Sequence, residues 1–301
     1  MSVRAKLAAA WRPVVTGVSA IGSVASIVAA VALFWGASGR EGRLGLIFLF
    51  LIAVFFIGFS IFQAYRYARK ARYAEAAQYF QAALQVCQDA LEMEKIDASG
   101  LKEQARRVCD HLASAFSLIT GTKCAACIKV IVGDLDRVGT AEFRVAVSTL
   151  VRDTTSSARN TDTVTHWLDA NTDFEEVLSS TGSTIRKPFF ENDLPIRRDY
   201  RNTSFEVAKP VVEPGGGFFA NRRRRKTWTL PYQSTIVAAI QPSGLSGSPR
   251  LLGFLCVDSA ARGAFLSRYD EGWVAAVAVA VHGLVAKWLK VTPGDLGSDA
   301  T

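Results

Sequence analysis

An α+β domain behind a helical membrane hairpin is what this sequence predicts, and three observations predict it. Two long uncharged apolar stretches lie near the N-terminus, at residues 14–36 and 44–62. An unbroken helical pattern follows, with no Pro or Gly between Ser60 and Ala98. Beyond it the elements run helix, strand pair, irregular middle, strand pair, helix, the order of an antiparallel sheet with helices packed on one side.

A bilayer core needs about 20 apolar residues in a helix, and both stretches qualify, with residues 37–43 as the turn between them. The apolar region of a secretory signal would be only about 7–15 residues long, so the first stretch reads as a retained helix. Arg4, Lys6 and Arg12 precede the first stretch, and Arg66, Arg69, Lys70 and Arg72 follow the second. The turn holds only Arg40 and Arg43. Positive charge stays on the cytoplasmic side, so both termini and the soluble part are expected inside, at a bacterial inner (plasma) membrane. Gly22, Ser26 and Ala30, spaced by four, suit close helix contact in lipid, whereas Phe48, Phe50, Phe55, Phe56, Phe59 and Phe62 suit lipid itself. Residues 1–65 are thus the expected hairpin, with membrane lipid as a partner.

Residues 66–98 read as a helical linker. Tyr73, Ala77, Phe80, Leu84, Cys87 and Leu91 follow the four-and-three spacing of a coiled-coil seam, which predicts a homo-oligomer joined through the linker and membrane helices.

Residues 99–290 form the expected soluble domain. Ser99 opens a helix with Leu101, Ala105, Val108, Leu112, Phe116 and Ile119 on one face, and Gly121 ends it. Strands are expected at 124–132 and 143–151. Thr172 and Glu175 match a capping box before a short helix over 173–179. Strands at 235–240 and 251–257 form a hairpin. Ser267 and Asp270 match a second capping box, opening a helix to about residue 289 with Val274, Val277, Val281, Leu284 and Trp288 inward. Residues 291–301 are expected to be a disordered tail.

The net charge is +8 and the pI about 9.4. Much of that charge flanks the apolar stretches, so a membrane surface accounts for it and no nucleic acid polymer is expected as a partner. Five cysteines without a framework spacing argue for a reducing compartment rather than a secreted disulfide scaffold. Cys124 and Cys127 form a C-x-x-C, but no second pair exists and His111, His166 and His282 lie far off in sequence. They read as small apolar residues at a strand start, with no metal assigned.

The stretch YQSTIVAAI at 232–240, followed by LLGFLCVDS at 251–259, Phe265, and the helix opened by Ser267 and Asp270, resembles the C-terminal half of a GAF domain. In element order the resemblance extends over residues 101–290. It implies an antiparallel sheet whose ligand pocket is built by the middle segment. On that basis Asp173, Phe174, Phe190, Asn192, Asp193, Arg197 and Arg201 are candidate contacts for a small, planar, anionic ligand. Arg222, Arg223, Arg224, Arg225 and Lys226 form the densest charge cluster, placed to meet anionic lipid or phosphate; a solvated loop explains them equally.

There is no Walker-type phosphate loop, dinucleotide glycine pattern, H-E-x-x-H or nucleophile elbow, and the sequence assigns no catalytic residue and no cofactor. The expectation is therefore not an enzyme. It is a membrane-anchored sensory protein that binds a ligand or partner in the cytosol and couples it to the membrane helices, in one version as a ligand-gated effector. The alternative is a non-enzymatic dimerisation and recruitment scaffold without a small-molecule ligand. A redox enzyme using Cys124 and Cys127 ranks third.

Overall fold

The computed structural model describes residues 40–132, 145–159, 166–180, 186–203, 218–242 and 251–292. The chain divides into two compact units, residues 1–71 and 72–301.

In the first unit the described residues belong to helix α1 (Arg40–Glu92). Its apolar section, Phe50–Gln63, leaves Phe50, Leu51, Phe55, Phe56, Phe59, Ile61 and Phe62 exposed. The expected two-helix hairpin is corrected here. Residues 14–36 lie outside the described residues, and the second stretch is a section of a longer helix that already includes the expected turn residues Arg40 and Arg43. Among the described residues, the helix that meets the length and hydropathy of a span is Ser267–Val291, which belongs to the second unit and packs in its core.

The second unit begins with the C-terminal part of α1. Ala76, Phe80, Ala83, Cys87 and Ala90 are buried in the same apolar cluster as the sheet, while Leu84 and Leu91 are exposed. The seam thus keeps its three-and-four spacing in a shifted phase, and its residues pack within the chain. Phe80 stacks on Trp273 at 4.3 Å and meets Phe116 edge-on at 5.4 Å. Such aromatic pairs contribute about 0.5–1.5 kcal/mol beyond their burial.

Helix α2 (Ala98–Thr120) is capped by Asp97 rather than Ser99: the Asp97 carboxylate accepts the Gly100 N–H at 2.8 Å. Gly121, at φ 71°, ends it by donating its N–H to the Ser117 carbonyl. Then follow β1 (Cys124–Val132), β2 (Ala146–Arg152), β3 (His166–Trp167), α3 (Thr172–Ser179), β4 (Phe189–Glu191), α4 (Phe218–Lys226), β5 (Ser234–Ile240), β6 (Gly253–Ser259) and α5 (Ser267–Val291). The start of the expected second strand, the 243–250 turn and the 293–301 tail lie outside the described residues.

Neither expected capping box forms. The Thr172 hydroxyl accepts the Arg201 N–H and donates to the Asp199 carbonyl, so it ties α3 to a distant segment. Asp270 accepts the Leu266 N–H and the Tyr73 hydroxyl, both at 2.6 Å, joining α5 to α1.

The fold is α+β. Its six strands form one antiparallel sheet in the order β3-β2-β1-β6-β5-β4. Helices α2 and α5 cover one face, over Ala126, Ile128, Val130, Ile236, Ala238, Leu255 and Val257, and the C-terminal part of α1 packs on these two helices. The opposite face carries Cys127, Ile131, Val237, Phe254 and Cys256 beneath α3, with Phe189 of the edge strand β4 on the same side. β1 and β6 are central and buried on both faces, as their near-continuous apolar runs require. Their approach is close at Gly253, where a Cβ would stand 2.0 Å from the Lys129 carbonyl oxygen.

Candidate functional site

Alternation along a strand sends residues i and i+3 to opposite faces. Cys124 and Cys127 therefore part company: Cys124 faces the helices and sits 3.4 Å from the Thr120 hydroxyl, whereas Cys127 faces the other way. The C-x-x-C is no unit. The partner of Cys127 is Cys256, directly opposite on β6, where each thiol shifts the ionisation of the other. All five cysteines are free and buried.

The pairing of β1 with β2 shifts by one residue after Ile128: Cys127 lies opposite Arg152, and Lys129 opposite Thr149. Without that bulge Thr149 and Arg152 would point to opposite faces; with it both share the face of Cys127. Lys129 is held there by a 3.3 Å hydrogen bond to the Thr149 hydroxyl and by the Phe174 ring, 5.9 Å from its ammonium.

Cys127, Cys256, Lys129 and Arg152 line a cavity of about 80 Å³, together with Arg159, His166, Asp173, Phe174, Asn202, Tyr232, Thr235 and Asp258. Phe174, one of the lining residues, stacks on Phe254 at 4.5 Å. Asn202 donates to the Tyr200 and Tyr232 hydroxyls, both at 3.2 Å, and the Trp228 indole N–H holds the Tyr232 carbonyl at 2.7 Å. Asp258 accepts the hydroxyl of Thr235, its cross-strand partner, at 2.6 Å.

The electrostatics single out Cys127. Its pKa falls to about 7: the hydrogen bond from Cys256 stabilises the thiolate, and the Arg152 and Lys129 charges add to it against the cost of burial. The Cys256 thiol moves the opposite way, well above its ordinary value, because it shares that hydrogen bond with an incipient thiolate. Cys87, in the helical core with no such neighbours, is pushed up to about 12 by burial. Burial also raises Asp173 to about 7 and lowers His166 to about 3, the latter helped by Lys129 and Arg152.

Of the residues expected to bind a ligand, Asp173 and Phe174 line this cavity. Phe190 packs on the helical side. Asn192 is a clamp: its side chain bonds the backbone N–H and carbonyl of Phe265, and its carbonyl accepts the Ser234 hydroxyl. Asp193 pairs with Arg225 at 2.5 Å and Arg262 at 3.8 Å. Arg197 lies over the Phe189 ring at 4.9 Å and pairs with Glu176 and Asp199, and Arg201 pairs with Glu175. In the basic run on α4, Arg224 reaches the Arg197 carbonyl at 3.4 Å and Arg225 is engaged by Asp193. Arg222 and Lys226 are exposed, and Arg223 stands on the same helix. Among the described residues no cluster of His, Cys, Asp and Glu could hold a metal ion.

No family model and no curated protein matches the chain. Two of the solved structures similar to this chain are as follows. A type II free methionine-R-sulfoxide reductase from Thermoplasma acidophilum is 17% identical, covering 62% of this chain and 96% of its own, at a TM-score of 0.37. A free methionine-R-sulfoxide reductase from Neisseria meningitidis, in complex with its substrate, is 10% identical, covering 72% and 94%, at a TM-score of 0.39. The expectation of a non-enzymatic sensor or scaffold is corrected on this finding: both of these structures are described as reductases. At these identities and scores the likeness transfers neither reaction nor substrate, and the chemistry has to come from the cavity's own residues.

Proposed function

We propose that this chain is a thiol-dependent reductase of a small substrate, built on a GAF-like domain and working through Cys127 and Cys256. One observation carries the reading: the thiol with the lowered pKa stands directly opposite a second thiol at the wall of a small cavity that Lys129, Arg152 and Asp173 also line. Residues directly opposite on antiparallel strands have Cα atoms about 4.5–5.5 Å apart, inside the range a disulfide spans. The Cys127 thiolate attacks the electrophilic atom of an oxidised substrate X=O. Cys256 then displaces the adduct, forming the Cys127–Cys256 disulfide. The X=O bond breaks, X gains two electrons, and the oxygen leaves as water with two protons. Those protons come from the two thiols, and Asp173, with its pKa near 7, relays protons within the same cavity. An external dithiol reduces the disulfide and closes the cycle.

The test is dithiothreitol-dependent reduction of free methionine-R-sulfoxide, the substrate class named for the two similar chains, beside a small hydroperoxide and a small disulfide. Turnover of at least one, lost in Cys127→Ser and kept in Cys124→Ser, supports the reading. Equal rates for wild type and Cys127→Ser on all three would sink it.

The same proposal keeps the protein at a membrane, with the reductase on the cytoplasmic side where thiols stay reduced. The exposed phenylalanines of α1 and the flanking arginines support it. Resistance of the full chain to alkaline carbonate extraction is expected; release into the soluble fraction would count against it.

A further inference from the structure

The cavity's unused polar groups point to what enters it. His166 is 4% exposed, yet neither of its ring nitrogens has a hydrogen-bond partner among the described residues. A buried polar group left in that state carries an uncompensated desolvation cost. It is neutral, because burial and the neighbouring Lys129 and Arg152 charges oppose a third positive group there. A neutral imidazole offers one donor and one acceptor, and both are vacant.

The charge is also one-sided. Lys129, Arg152 and Arg159 line the cavity against Asp173 and Asp258. Both carboxyls are shifted by burial toward their protonated forms, and Asp258 is already engaged by Thr235. A cavity of about 80 Å³ is small. At roughly 10–15 Å³ of such space per water, it holds the equivalent of roughly five to eight waters.

We infer that the substrate is a small organic acid whose carboxylate seats among Lys129, Arg152 and Arg159 and accepts the His166 N–H. This inference rests on the reductase reading and adds a substrate class to it. A guanidinium pairs two carboxylate oxygens at once, and the imidazole donor meets the same group at its edge. An acid bound this way carries its electrophilic atom toward Cys127. A cationic or bulky neutral substrate is excluded by charge and volume.

The experiment uses the full chain in detergent micelles and two thiol reagents that differ in charge, iodoacetate and iodoacetamide. Labelling of Cys127 is followed by peptide mass spectrometry, and the rate ratio of the acid to the amide is compared with that of the denatured chain. A native ratio raised about tenfold or more, and reduced again in Arg159→Gln, is expected. Propionate is expected to slow labelling and to shift the ring resonances of His166, and propionamide to do neither. That second arm needs no variant, so a poorly folded Arg159→Gln leaves the test intact. Labelling at the denatured ratio with no effect of propionate overturns the acid site and leaves the thiol chemistry standing. Absence of labelling by either reagent, with propionate still shifting His166, overturns the thiol chemistry and leaves the acid site. Failure of both arms overturns both.

Discussion

Arg152 stands directly opposite Cys127 because β2 takes one extra residue into its pairing with β1. The bulge turns a cation that would have faced the helical core onto the face of the thiol pair. Replacing it with an uncharged chain of similar bulk, Arg152→Met, removes a charge that favours the thiolate. The Cys127 pKa is then expected to rise, and alkylation at pH 7 to slow by about threefold to tenfold, since one unit corresponds to a tenfold change. The pH–rate profile of iodoacetamide labelling at Cys127 checks this. An unmoved profile means that Arg152 does not act on the thiol.

The hydrogen bond from Cys256 contributes more than either cation to holding Cys127 down. Cys256→Ala is therefore expected to raise the Cys127 pKa further than Arg152→Met does. Cys124→Ser, on the opposite face of the same strand, is expected to leave it alone. The order of the three labelling profiles is the readout, and an effect of Cys124→Ser equal to that of Cys256→Ala would restore the C-x-x-C as the working pair.

Asp173 ties the cavity to stability. Its carboxyl is raised to about 7 in the folded chain from an ordinary 3.8. The folded state then binds the proton more tightly, so the stability it contributes is present below about pH 3.8 and is lost as pH rises through 7. His166 acts in the other direction, with a folded pKa near 3 against 6.5, so its contribution is lost as pH falls from 6.5 toward 3. In Asp173→Asn the first dependence disappears. The Tm of the variant relative to wild type should climb between pH 5 and pH 8. A difference that is constant over that range contradicts the assignment.

Gly253 is the point where β6 passes closest to β1. A methyl there meets the Lys129 carbonyl oxygen at 2.0 Å, which is backbone and has little room to yield. Gly253→Ala is expected to destabilise the domain by about 1–3 kcal/mol or more. Because it pries at the strand pair that sets Cys127 against Cys256, it should also raise the Cys127 pKa. Urea unfolding and the labelling profile measure the two effects; a variant as stable as wild type would show that the strands do not approach as described.

Much of the fold was legible because it follows from local rules. The apolar runs that became β1, β5 and β6, the glycine stop at Gly121 and the inward stripe of α5 all sit within a residue or two of their expected places. The site was less legible. Cys127 and Cys256 lie on strands far apart in the chain, and only the antiparallel register of β1 with β6 brings them together. The bulge that recruits Arg152 leaves no mark on the sequence. Strand alternation did hold one usable signal, because it already places Cys124 and Cys127 on opposite faces. The basic residues that drew attention, Arg197, Arg201 and Arg225, are absorbed by acidic partners contributed by other elements. The linker seam was read in the wrong phase because its partners are α2 and α5 of the same chain, which sequence periodicity alone does not reveal.

The central claim is that Cys127 and Cys256 form a working dithiol. A redox titration of the full chain in dithiothreitol buffers, with thiols trapped and mapped by peptide mass spectrometry, tests it most directly. A two-electron transition between two thiols and a Cys127–Cys256 disulfide is expected at roughly −180 to −300 mV, within reach of cellular dithiol reductants, with Cys87, Cys109 and Cys124 unchanged. Recovery of Cys127 and Cys256 as free thiols across the whole range, or a disulfide that joins Cys127 to another cysteine, would contradict it.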